Sequence, residues 1–128
     1  DKAYEVGQAL KAAGLRVKVD DSDKNPGWKF SEQEMRGIPV RVEMGPRDIE
    51  ANQAVIVRRD TREKITVSID ELADRIPEIL DTIQKDMLER ARAHREAHTY
   101  TALNYDEFKD TAANKAGFIK AMWCGDQD

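Results

Sequence analysis

The chain reads as an α/β domain with a mostly parallel or mixed sheet, and three observations predict it. Short runs that alternate apolar and charged residues recur between segments of helical period. Glycine and proline stand at most of the junctions. Near Ser68 the period changes to a sustained helical one, while 128 residues suit one ordinary domain with a small appendage.

In order along the chain, Ala3, Val6, Leu10 and Ala13 fall at helical spacing, and Gly14 supplies the stop. "LRVKV", Leu15 to Val19, alternates and reads as a strand. "DDSDKNPG" after it is a loop of turn formers. Ser31 to Arg36 predicts a short helix closed by Gly37, and "IPVRVEM", Ile38 to Met44, a strand with Pro39 near its start. Gly45 and Pro46 turn the chain into another short helix through Ala51. "AVIVRRD" and "KITVSI" form a hairpin around Asp60–Glu63. Ser68 and Glu71 match a capping box. Ile69, Leu72, Ile76, Ile79, Ile83 and Met87 then make an apolar stripe on a helix that persists to about His98. Pro77 must kink this helix or start a second one. Beyond Leu88 the stripe thins to alanines, which predicts a projecting helix. A helix over Asp106 to Ala113 and a strand-like "GFIKAMW" complete the chain.

Composition excludes several classes. The net charge of −4 gives no global field for polyanions, so a nucleic acid must be held by a local patch. The longest apolar run, Ala54 to Val57, is far too short to span a bilayer. Cys124 is the single cysteine, which predicts no internal disulfide and a reducing, cytoplasmic setting. The opening helix, where such domains open on a strand, predicts a piece of something longer.

Motif searches mostly end in rejection. Asp21, Asp23, Asn25 and Glu32 fall at calcium-loop spacing, but Pro26 takes the place of the required glycine and a strand precedes the loop. His94 and His98 lie one helical turn apart, yet Arg95 stands where a zincin carries glutamate, so a solvated helix face is the better reading. No Gly-rich phosphate loop and no nucleophile with its base stand out. Nothing here reads as a reaction centre.

The strand at Ile38–Met44 is more informative. Ile38, Val40 and Val42 point one way, so Arg41 and Glu43 point the other, either because the strand is half solvated or because its charged face recognises something. Phe30 and Glu34 share a stripe of the preceding helix, and Trp28 reads as a loop-anchoring core residue. Past the strand, Gly45 and Pro46 open a helix N-terminus suited to an anion, flanked by Arg47 and Asp48, and Arg58 and Arg59 end the next strand. Carboxylates, guanidinium groups and an aromatic gathered this way suit an unstacked guanine. Its N1–H and exocyclic amine donate to a carboxylate, while O6 accepts from Arg or Lys. The expected nucleic-acid contacts are Lys29, Phe30, Glu34, Arg41, Glu43, Arg47, Asp48 and Arg59, converging on a pocket wide enough for a purine.

The run "GWKFSEQEMRGIPVRVEMGPRDIE" followed by "VIVRRDTREKITVSIDEL" resembles the anticodon-binding domain of prolyl-tRNA synthetase in its archaeal and eukaryotic-like form. The resemblance implies a three-layer α/β domain over residues 1–98 with a five-stranded mixed sheet, whose first strand is absent here. Residues 99–128 resemble the start of that form's small α+β, zinc-binding extension, with Cys124 as the first ligand of an incomplete site. It further implies a dimeric class II parent that joins proline to its tRNA with ATP and Mg²⁺ during translation. The chain itself is expected to lack the catalytic part, to bind no cofactor alone, and to take the proline tRNA anticodon loop, with no DNA or membrane partner. The alternatives are the related domains of threonyl-, glycyl- or histidyl-tRNA synthetases, or a non-catalytic interaction or dimerisation module.

Overall fold

The computed structural model describes residues 1–126. The chain forms two compact units, Asp1–Lys85 and Asp86–Asp128, with helix α4 (Leu72–Ala97) contributing to both. No helix among the described residues is long and apolar enough to cross a membrane.

The first unit is an antiparallel sheet with helices. Helix α1 (Lys2–Ala12) is capped by the Asp1 carboxylate and ends before Gly14, whose φ of 90° suits glycine. Helix α2 (Pro26–Met35) is longer than the spacing predicts. Asn25 accepts from the Trp28 N–H as its N-cap and Pro26 takes the first helical position, so the helix absorbs the end of the expected loop. Strand β1 (Val40–Glu43), short helix α3 (Pro46–Glu50), and strands β2 (Gln53–Arg58) and β3 (Lys64–Ser68) follow, in the order β1-β2-β3. The expected hairpin forms, with Ile56 opposite Ile65 and Ala54 opposite Val67.

Alternation sets the two faces of this sheet. Val40, Val42, Ala54, Ile56, Ile65 and Val67 look toward Val6 and Leu10 of α1 and Leu72, Ile76, Ile79 and Ile83 of α4, and this is the core. Leu15 and Val17 pack against it, but Leu15–Val19 forms no ladder. Alternating side chains satisfy the packing, whereas a strand also needs a neighbour to exchange hydrogen bonds, and no described strand pairs with this segment. The first unit therefore has three paired strands where the family pattern suggested more, and the α/β class stands.

The Ser68 cap bond and the core placement of Trp28 fail, and Pro77 does not start a second helix. Ser68 still belongs to β3 and a 3₁₀ turn (Ile69–Glu71) intervenes, so the Ser68 side chain makes no cap bond and Asn52 reaches it at 3.5 Å. Pro77 lies inside α4, which continues past it as one helix. Trp28 is not core. It sits half exposed on the first turn of α2, with the Lys24 ammonium 5.9 Å from its ring centroid.

In the second unit, strand β4 (Thr99–Ala102) pairs in parallel with β5 (Phe118–Ala121), joined through α5 (Tyr105–Asn114), whose N-cap is Asn104. Gly117 allows the close return, because a Cβ there would lie 2.0 Å from the His98 carbonyl oxygen. Sequence reading missed β4, since "TYTA" carries little apolar signal until its partner is known.

Candidate nucleic-acid interface

The sheet face opposite the core carries the charges. Two cross-strand rows lie on it: Glu43, Val55 and Thr66, and beside them Arg41, Val57 and Lys64. Helix α2 presents Phe30 and Glu34, four residues apart, to the Arg41 end of this face.

Arg41 organises the cluster. Its Nη1 donates to Glu34 Oε1 at 2.7 Å and its Nε to Glu43 Oε1 at 2.7 Å. The guanidinium lies over the Phe30 ring, with Cζ 4.2 Å from the centroid, a cation–π contact that supports the plane from below. Burial works against the Arg41 charge, but the hydrogen bonds and charges of Glu43 and Glu34 outweigh it and hold its pKa above the ordinary value. All three side chains keep part of their surface in water, between 22% and 32%.

The β2–β3 hairpin brings further cations. Antiparallel pairing sets Val40 opposite Arg58, so the hairpin turn lies beside the start of β1 and the end of α2. There Arg59 Nε donates to the Glu34 carbonyl at 2.8 Å, a second bond beside the one from the Gly37 N–H at 3.1 Å. Arg62 Nη2 lies 3.9 Å from Glu34 Oε2. Phe30, Gln33, Glu34, Ile38, Arg41, Val57 and Arg59 line a recess of only about 10 Å³. That is room for about one water, not the purine-sized pocket expected, because Arg41 is drawn in by both carboxylates. Ile38 borders this recess instead of pointing into the core.

Glu34, Arg41, Glu43, Phe30 and Arg59 thus come together. Lys29 does not join them: its Nζ donates to the Asp20 carbonyl at 3.0 Å and lies 3.8 Å from the Asp20 carboxylate. Arg47 is exposed on the first turn of α3. Asp48 is a cap, since its Oδ2 accepts from the Gly45 N–H at 2.9 Å and its Oδ1 from Gln53 at 3.2 Å. These bonds, the Gly45 one foremost, lower its pKa. The anion-binding helix start expected at Gly45 is therefore answered by the chain's own carboxylate. Cys124 is an exposed thiol, and no three potential ligands cluster among the described residues, so the residues present do not make a zinc site. Sequence reading passed over Arg62 and Lys64. The signal was there in the hairpin, whose register with β1 carries its turn to the charged face.

Together these features define an α/β module whose sheet face opposite the core holds partly exposed carboxylates in place with guanidinium groups, an arrangement fit for nucleobase edges and phosphates. Residues 1–79 match the family model described as "Anticodon binding domain", and the chain belongs to that family. It is 68% identical over 127 residues to a proline–tRNA ligase of Lachnoclostridium phytofermentans and 66% identical over 126 residues to one of Clostridium novyi, covering 99% and 98% of this chain. It also superposes on the crystal structure of prolyl-tRNA synthetase from Cryptosporidium parvum, complexed with L-proline and AMP, with a TM-score of 0.91, 38% identity and 98% of this chain covered. The chain spans about a quarter of the length of each, 26%.

Proposed function

We propose that this chain reads the anticodon loop of proline tRNA on behalf of a class II proline–tRNA ligase. The ligase activity, with its ATP and Mg²⁺, its dimeric assembly and its cytoplasmic setting, belongs to the whole protein, and this chain supplies recognition. One observation carries the reading: Arg41 lies over the Phe30 ring and is bonded to both Glu34 and Glu43, on the charged face of the sheet.

Proline anticodons share two guanines, and the cluster suits that base. A carboxylate oxygen has two lone pairs, so Glu34 and Glu43 can each accept from guanine N1–H and N2–H while keeping contact with Arg41. Lys64, two strands away on the same face, can donate to O6 or to phosphate. Because the recess is small, the base lies across the face and stacks on the supported Arg41 plane. Phe30 acts as the support beneath it. Arg47 and Arg59 serve as peripheral cations on this reading, and Lys29 is the weakest of the proposed contacts because Asp20 holds it.

The test is filter binding of the 128-residue chain to an RNA hairpin with a UGG loop and to one with both guanines changed to adenine. The wild type should prefer the guanine loop. Glu34→Gln and Arg41→Ala should lose the preference. Equal retention of both hairpins by the wild type would refute the proposal and favour a protein-interaction module.

A further inference from the structure

Arg62 is an unusual residue at an unusual backbone position. Its φ is 61°, in the left-handed region where glycine or asparagine is cheaper and an arginine is strained. Its side chain is 81% exposed, so packing does not explain it. Its backbone N–H donates to the Arg58 carbonyl at 2.9 Å within the hairpin turn, and its side chain's one described contact is the 3.9 Å approach to Glu34, a carboxylate already bonded to Arg41 at 2.7 Å. A pair of that length with one partner in water contributes little to stability. Arg59 stands nearby with its Nε bonded to the Glu34 carbonyl, and Lys64 follows two residues on. With the turn's own charges included, Arg41, Arg58, Arg59, Arg62 and Lys64 outnumber Glu34, Glu43, Asp60 and Glu63 by one at this corner of an otherwise acidic chain.

We infer that Arg62, with Arg59 beside it, is a phosphate-holding residue that sets the register of a single-stranded RNA loop against the base-reading cluster. The inference rests on the RNA reading above and adds to it a division of labour. Phosphate contacts position the strand and carry no sequence information, whereas base-edge contacts specify it. The hairpin turn holds an exposed cation next to Glu34, so that a backbone phosphate held there places the adjacent base edge over Glu34 and Arg41. A fully charged guanidinium with a fork of donors suits a phosphodiester better than a neutral group does.

Arg62→Gly separates fold from binding, because a φ of 61° favours glycine and thermal stability should hold or rise. Binding of the 128-residue chain to the UGG hairpin and to its adenine-substituted counterpart would be measured from low to high salt. Losing one phosphate contact to a single strand should reduce the slope of log K against log salt by about 0.7, about a fourfold weakening near 0.15 M salt, equally for both RNAs. Arg62→Lys, which keeps the charge, should recover most of the slope. Glu34→Gln should instead change the ratio between the RNAs. If Arg62→Gly kept wild-type affinity and slope while Glu34→Gln altered the ratio, the inference would be wrong and the RNA reading would stand. An Arg62→Gly effect on the ratio alone would also overturn it, by making Arg62 a base reader. Failure of the wild type to prefer the guanine hairpin would remove the reading and this inference together.

Discussion

The hairpin that carries Arg59 and Arg62 is anchored by a buried ion pair, and Asp60→Asn tests how much depends on it. Arg58 falls on the core face by alternation, so its guanidinium is nearly enclosed: the side chain is 7% exposed and that of Asp60 is 9%. Two parallel bonds join them, Nε to Oδ1 at 3.0 Å and Nη2 to Oδ2 at 2.8 Å. Asn keeps the shape and removes the charge. Stripping one partner from a buried pair costs about 3–5 kcal/mol, since the other charge stays desolvated. Here Glu63 lies 3.7 Å from Arg58 Nη1 but is 57% exposed, so it offsets only part of the loss. The lower end, about 3 kcal/mol, is expected. For a unit of this size, each kcal/mol shifts Tm by about 4–8 °C, so the melt followed by circular dichroism should fall by about 12–24 °C. Replacing both partners with apolar residues, Arg58→Met with Asp60→Leu, should cost less than the single change. A single-variant loss below about 1 kcal/mol, or a double variant as damaged as the single one, would refute this account of the anchor.

Removing Arg41 leaves Glu34 and Glu43 facing each other without their shared cation. Arg41→Ala should lower urea stability by about 1–2 kcal/mol, and added salt should restore part of it by screening the two carboxylates. At Gly7 a Cβ would sit 2.7 Å from Val19 Cγ2. Gly7→Ala should therefore destabilise by about 1 kcal/mol despite alanine's better helix propensity, and adding Val19→Ala should reverse the loss in the same urea titration. The Asp48 cap has a lowered folded pKa, so its stabilisation is complete above the unfolded value of about 3.9 and disappears as pH falls through the folded one. The Tm difference between wild type and Asp48→Asn should be largest near neutrality and close toward zero in acid; a difference independent of pH would exclude the cap role.

What the sequence made legible follows from local periodicity. The alternation in "IPVRVEM" placed Arg41 and Glu43 on one face, and the four-residue spacing of Phe30 and Glu34 brought both to it. The turn at Asp60–Glu63 announced the hairpin. Partner choice was not legible, because alternation and spacing give a side chain's direction and not which of several nearby groups it meets. Lys29 is held by Asp20, nine residues earlier, and Asp48 turns back on Gly45 instead of facing outward. "LRVKV" has a strand's alternation without a strand's neighbour. Arg62 looked like any polar turn residue until its backbone angle and its approach to Glu34 were visible.

On the proposed reading, the ion-paired state of the cluster bears on selectivity more than on affinity. A carboxylate on an RNA-facing surface repels the backbone, and on a chain of net charge −4 that penalty is not diluted elsewhere. Pairing with Arg41 suppresses the repulsion before any RNA arrives and fixes the carboxylates on a supported plane. A base with two adjacent donors then satisfies lone pairs that would otherwise lose water on binding, whereas adenine, which lacks the N1–H, leaves them stranded at about 1–3 kcal/mol. On the proposed reading, discrimination comes from what the wrong base fails to satisfy, and the surrounding cations supply attraction that is blind to sequence. The two contributions should therefore separate cleanly with salt: raising it weakens binding to every loop while the ratio between guanine and adenine loops holds.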